Sequence, residues 1–329
     1  MSTRTTLPLA LVLSTTFLAT AASAGSAQSP GRHTGTVHES EKGDWDWDQW
    51  MTVFADFFMG PETKDEFRWQ GTLASGKALE IKGVNGRITA RPAGGSAIEV
   101  VALKHGRRSD PKQVEIVVVE HDGGLTLCAL YPAPAGAPPN ECAPGKGGRM
   151  KVRHNDVKVD FELKVPAGIA LAARTMNGAV DVDGLGGSLR AHTVNGAIRA
   201  AGVEGNVDAR TVNGGVRLDA RGTARATTVN GSIVADLGRA DWTDRLAFET
   251  VNGSVTVALP AGTNADLHVS TTNGRIRNEF DLAQTSRSTR RELRGTIGKG
   301  GRELRITTVN GAVRVQRRGM AEARAATEH

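Results

Sequence analysis

The chain has 329 residues, 40 of them glycine, with 23% charged residues, 4% aromatic residues and a formal net charge of +6. Charge and apolar content near the globular norm exclude wholesale disorder, and a glycine excess beside so few aromatics points to tight turns around narrow cores. After the N-terminal leader no apolar run approaches the roughly 20 residues that a membrane helix needs, so no transmembrane segment is expected once the leader is removed.

Residues 1–24 read as a signal peptide. Arg4 supplies a basic start, Leu7 to Ala22 is apolar and Ser/Thr-rich, and Ala22-Ser23-Ala24 fits a small-residue cleavage site. No cysteine stands directly after that site, so a lipid anchor is not expected. The sequence therefore predicts an exported protein, periplasmic, on the cell surface or secreted.

Residues 25–70 form a linker and an aromatic segment. Eight of the 14 aromatics fall between Trp45 and Trp69. Trp47, Trp50, Met51, Phe54, Phe57 and Phe58 recur at helical spacing, which predicts a short helix capping the N-terminal end of the fold. A docking helix for a protein partner is the alternative. Asp44, Asp46 and Asp48 alternate as at the start of a calcium loop, without the glycine and distal Glu that such a loop needs.

Between residues 71 and 170 the pattern is β but irregular. Leu79-Glu80-Ile81, Val114 to Val119, Leu125-Thr126-Leu127 and Val157 to Phe161 read as strands. Cys128 and Cys142, the only cysteines, flank a Pro/Gly-rich stretch from Tyr131 to Pro139. In an oxidising compartment such a pair is expected to form a structural disulfide.

A repeat organises the remainder. Asn-Gly occurs at Asn85, Asn177, Asn195, Asn213, Asn230, Asn252, Asn273 and Asn310, with central spacings of 18, 18, 17, 22 and 21 residues. Thr stands two residues before each Asn except the first, where Gly83 stands, and the residue between is usually Val. Val or Ile always lies three residues after the Asn, and apolar residues lie four and six before it. Alternation on both sides of a turn makes each arm a strand with one buried face.

Asn and Gly both tolerate positive φ, so the pair suits a sharp corner. Two architectures fit. In an antiparallel meander Asn-Gly is a type I′ hairpin turn; in a parallel β-solenoid it is a corner over which Thr, Val and Asn stack on their equivalents. The even recurrence favours an all-β parallel β-solenoid (β-helix or β-roll) of stacked coils, each about 18–22 residues. Twelve such coils at about 4.8 Å each would extend roughly 58 Å. Glycine-rich second corners, such as Gly184 to Gly187, and inward alanines imply a thin core. Gln284 to Gly301 interrupts the repeat and reads as a loop or loose coil. The domain occupies residues 71–317, with a tail at 318–329.

The recurring Thr-Val-Asn-Gly, the Val/Ile after it and the Val165-Pro166-Ala167-Gly168 lead-in, repeated as Leu259-Pro260-Ala261-Gly262, resemble the bacterial putative-adhesin family of domains of unknown function, and look related to β-helical head domains of autotransporter adhesins. The resemblance covers about Gly71 to Val315. It implies an extracytoplasmic β-solenoid with an envelope or surface interaction, and it brings no catalytic residues.

From Arg287 onward 11 Lys/Arg stand against four Glu. Arg290, Arg291 and Arg294, with Trp47, Trp50 and Phe54, form the candidate partner surface, suited to an acidic glycan or a protein. Export and the lack of interleaved aromatics disfavour nucleic acid. No nucleophile elbow, P-loop, zinc or C-x-x-C signature occurs, so no cofactor and no metal are expected. Asp181 and Asp183 are the one neat carboxylate pair for a carbohydrate-active enzyme. The reading that results is a non-enzymatic, exported, adhesin-like binding or scaffold surface in the cell envelope. A carbohydrate-active enzyme using Asp181 and Asp183 and a periplasmic regulatory partner are the alternatives.

Overall fold

The computed structural model describes residues 61–239, 242 and 244–318. These residues belong to one compact unit and form two β-sheets, of 11 and 12 strands, in which most neighbours run parallel. The only helix among them is a single 3-10 turn, Pro111–Gln113. The expected signal peptide and helical cap, with Trp47, Trp50 and Phe54, lie outside the described residues.

Each repeat contributes one strand to each sheet. The strand before Asn-Gly enters the 12-stranded sheet, as in Ala170–Arg174, Leu189–His192, Val207–Arg210 and Ala224–Asn230. The strand after it enters the 11-stranded sheet, as in Val180–Asp183, Ile198–Val203, Val216–Ala220 and Ile233–Leu237. Equivalent residues are paired in register: Leu171, Leu189, Val207 and Ala224 in one sheet, Val180, Ile198, Val216 and Ile233 in the other. Parallel neighbours need a crossover, and here the crossover is the strand of the opposite sheet. The hairpin alternative is thereby excluded, because the two arms of a repeat do not pair with each other.

The core lies between the sheets. Leu171, Ala173, Leu189, Ala191, Val180, Val182, Ile198 and Ala200 are all at most 2% exposed. Alternate residues point outward, so the alternation in sequence becomes an apolar interior one side chain deep per sheet. Phe67 and Trp69, assigned from sequence to the N-terminal aromatic segment, belong instead to strand Thr63–Thr72, which pairs antiparallel with Ala97–Gly106 at the edge of the 11-stranded sheet. There the period-two alternation with Glu66 and Arg68 decides the local structure.

Two features depart from simple sequential stacking. At one end, Ala78–Lys82 and Ile88–Pro92 lie between the later strands Ala170–Arg174 and Val180–Asp183 on one side and Gly124–Leu130 and Lys158–Val165 on the other. At the other end the last repeat, Arg302–Asn310 and Val313–Arg317, is inserted between the repeats that begin at Leu246 and Ala265. The interruption expected to be a loop at Gln284 to Gly301 is an antiparallel hairpin, Leu282–Ser288 with Glu292–Ile297, that extends the 12-stranded sheet past Ala265–Asn273. Leu293 and Ile297, 7% and 2% exposed, give it a buried face and make it part of the fold.

Candidate functional site

The Asn-Gly corners are built by three residues acting together. In the order Asn85, Asn177, Asn195, Asn213, Asn230, Asn252, Asn310, Asn273, each Asn after the first donates its side-chain amide N–H to the Oδ1 of the one before it, giving an unbroken row at 2.8–2.9 Å. Each Thr is buried and donates its hydroxyl to the carbonyl of the corner glycine one strand away: Thr193 to Gly178, Thr211 to Gly196 and Thr228 to Gly214, at 2.8–2.9 Å. Gly83 replaces Thr in the repeat whose outer neighbour, Gly124–Leu130, carries no Asn-Gly. None of the seven repeat Thr residues exceeds 5% exposure.

The glycine is required for a reason other than the one read from sequence. Of the eight Asn-Gly glycines only Gly86 has positive φ, at 129°, and none of the Asn residues has it. A Cβ on Gly196 would sit 2.0 Å from the carbonyl oxygen of Gly178, and one on Gly214 2.1 Å from that of Gly196. Close approach of neighbouring backbones therefore excludes a side chain. Positive φ belongs to the second corner instead, at Gly184 (70°) and Gly202 (59°).

Outward from these corners, the face of the 12-stranded sheet carries a groove that sequence reasoning passed over. Three residues before the Asn, Lys82, Arg174, His192 and Arg210 stand side by side on four neighbouring strands. Parallel strands are about 4.8 Å apart, so four basic side chains line up across adjacent rungs. Arg190 lies beside them on the strand of His192, with no hydrogen-bond or ion-pair partner among the described residues. The central cavity, about 380 Å³, is bounded by Lys146, Arg174, Arg190, His192, Asp208 and Arg210. It continues into a cavity of about 460 Å³ floored by Ala170 and Ala172 and closed by Arg225 and Asp244, which form an ion pair.

The wall of the groove is the segment after Cys142. The disulfide Cys128–Cys142, expected from sequence, is present with a Cα–Cα distance of 5.8 Å. It ties that segment to strand Gly124–Leu130. Arg174 then donates to the Gly145 carbonyl at 2.7 Å, the Gly145 amide donates to Glu80 at 2.8 Å, and Lys82 donates to the carbonyls of Ala143 and Gly147. These bonds hold Lys146 over the groove, its own side chain without a partner among the described residues.

The electrostatics are those of a crowded cationic site. Burial pushes the Lys82 ammonium below its ordinary pKa and Arg174 adds to the effect, against the pull of Glu80. Desolvation likewise lowers His192, helped by Arg174 and Arg210 and opposed by Asp208. Arg210 is fixed by a two-pronged bond to Asp208, both at 3.0 Å. Such a surface can hold an anion; among the described residues nothing in it pairs a nucleophile with a base.

The residues singled out from sequence are dispersed. Arg290 and Arg291 are exposed on the turn of the inserted hairpin, and Arg294 is paired with Glu292 at 2.9 Å. Three strands separate that hairpin from the groove. Asp181 lies on the opposite sheet between Arg91 and Arg199, 3.4 and 3.3 Å away, and Asp183 shares its strand. The groove was nonetheless written in the repeats: the third residue before Asn is basic in Lys82, Arg174, His192 and Arg210, and Thr227 and Glu249 follow on the strands beyond. Reading the repeat for its inward residues alone concealed it.

No family model and no curated protein matches the chain. Among solved structures it is similar to a putative cell adhesion protein from Clostridium sporogenes (11% identity, TM-score 0.35, covering 78% of this chain and 100% of that one). It is also similar to a putative adhesin from Bacteroides fragilis (12% identity, TM-score 0.32, 78% and 98%) and to a putative lipid binding protein from Parabacteroides distasonis (6% identity, TM-score 0.24, 76% and 96%).

Proposed function

We propose that the chain is an exported, non-enzymatic, adhesin-like protein whose two sheets wind as a parallel β-solenoid, and that it serves as a binding or scaffold surface in the cell envelope. The observation that carries the binding role is the cationic groove, in which Arg190 and Lys146 stand without partners among the described residues. The solenoid reading is supported by the in-register pairing of successive repeats and the continuous Asn row. Export is supported by the Ala22-Ser23-Ala24 leader pattern and by a disulfide, which persists in oxidising compartments.

The test is fractionation of producing cells together with retention on immobilised envelope polysaccharide. The protein is expected outside the cytoplasm with Cys128 and Cys142 oxidised, and retained on the matrix at low salt. A cytoplasmic protein with reduced thiols, or one that passes through the matrix unretarded, contradicts the proposal.

A further inference from the structure

The groove on the 12-stranded sheet has a chemistry more specific than positive charge. Lys146, Arg174, Arg190, Arg210 and Arg225 line it together with two acceptor carboxylates, Asp208, which Arg210 holds within the groove, and Asp244, which Arg225 holds at its far end. Its floor is formed by the small apolar side chains of Ala170 and Ala172, which leave the face of the sheet open. Cations address anionic groups, carboxylates accept from hydroxyls, and the alanine floor suits the apolar face of a ring. A ligand carrying only anions, such as polyphosphate, would meet Asp208 and Asp244 with like charge. One carrying both carboxylates and hydroxyls would satisfy every group, and complementarity of this kind sets specificity.

We propose that this groove binds a carboxylate-bearing polysaccharide, with its carboxylates on Arg174, Arg190 and Lys146 and its hydroxyls on Asp208 and Asp244. This rests on the reading of the protein as a binding surface and gives that surface a place and a ligand class. The chain crosses the strands, so that successive sugar units meet successive rungs of the sheet about 4.8 Å apart. Arg210 is held by Asp208 and Arg174 by the Gly145 carbonyl; both present their guanidinium groups already oriented, which lowers the ordering cost of binding. The disulfide-anchored segment supplies Lys146 from above.

Fluorescence anisotropy of the purified full chain with labelled oligogalacturonate tests the assignment, with neutral malto-oligosaccharide and inorganic polyphosphate as competitors. Oligogalacturonate should bind, neither competitor should displace it at equal concentration, and Arg190→Glu should weaken binding roughly tenfold with an unchanged melting curve. Arg277→Glu, on the exposed face of the other sheet, should leave binding unaltered. No binding of oligogalacturonate, displacement by polyphosphate, or an equal loss with Arg277→Glu would overturn the proposal. Should Arg190→Glu shift the melting curve, Arg190→Gln replaces it with the same expectation of weaker binding. Retention on envelope polysaccharide that Arg190→Glu leaves intact would remove the groove from the account and keep the broader binding role.

Discussion

Asn273 donates its side-chain amide to the Oδ1 of Asn310 at 2.8 Å, although 37 residues and an antiparallel hairpin separate them in sequence. Asn310 in turn donates to Asn252. The last repeat has therefore entered the row between two earlier ones, and its strands pair with a neighbour on either side in both sheets.

Truncation after Gly301 should consequently do more than trim an end. It would leave unpaired edges on Leu246–Asn252 and Ala265–Asn273, and open edges template pairing with other chains. The expected outcome is concentration-dependent association and loss of amide exchange protection across residues 246–297. A monomeric truncated chain with full protection would show that the insertion contributes little.

Gly214→Ala should destabilise the fold by about 3 kcal/mol, because its new Cβ would fall 2.1 Å from the Gly196 carbonyl oxygen that also accepts from Thr211. Gly262→Ala, with open space around the added carbon and no positive φ, is the control and should melt within about 0.5 kcal/mol of the parent. Thermal unfolding distinguishes the two. The expected size equals what positive φ would have predicted, yet the cause is packing between rungs.

Replacing Cys128 and Cys142 together by Ser should cost about 3 kcal/mol through the loop they close. It should also weaken oligogalacturonate binding, since the segment carrying Lys146 loses its covalent anchor. Chemical denaturation measures the first effect and anisotropy the second.

Asp156 accepts backbone N–H bonds from Arg107, Arg108 and Ser109 at 2.9–3.2 Å. Desolvation opposes ionisation here, but these bonds prevail and hold its carboxyl at about 2, below the ordinary 3.8. A depressed acid stabilises the folded state above its unfolded pKa, and that contribution is lost as pH falls from about 3.8 towards 2. Asp156→Asn should flatten the stability curve in that window and leave it unchanged in shape near neutrality.

His192 also loses stability on acidification, in a higher pH range. Its pKa is lowered chiefly by desolvation, with Arg174 and Arg210 adding to the effect, Asp208 opposing and Lys146 lining the same cavity. A lowered His makes the native state less tolerant of protonation, so its stabilising contribution is present above 6.5 and declines as pH falls through the folded value. Protonation also adds a cation to the groove, so oligogalacturonate affinity should rise as pH falls below 6.5, and His192→Gln should abolish that rise.

The repeat made the parallel, two-sheet architecture legible because each position keeps one role: Thr buried, Val outward, Asn in the row, Gly against the next backbone. What escaped was whatever the repeat does not encode. The insertion of Arg302–Asn310 out of order follows from strand pairing between distant segments, which spacing cannot reveal. The hairpin that begins at Leu282–Ser288 was hidden by that polar, exposed edge strand, whose residues pattern like a loop. The groove needed two things at once, the lateral alignment of Arg174, His192 and Arg210 and the fold-back of the segment after Cys142, and only the first was present in the repeat.

The order of the rungs is the central claim, and paired cysteines report it directly. Val251 and Val309 are exposed, 40% and 37%, on neighbouring parallel strands, while Thr272 lies one strand further away. Adjacent rungs at about 4.8 Å allow a disulfide, whose Cα atoms must lie about 4.4–6.8 Å apart. Mild oxidation should therefore cross-link the Val251→Cys, Val309→Cys variant quantitatively and leave Val251→Cys, Thr272→Cys uncross-linked. Efficient cross-linking of the second pair, with none in the first, would contradict the account.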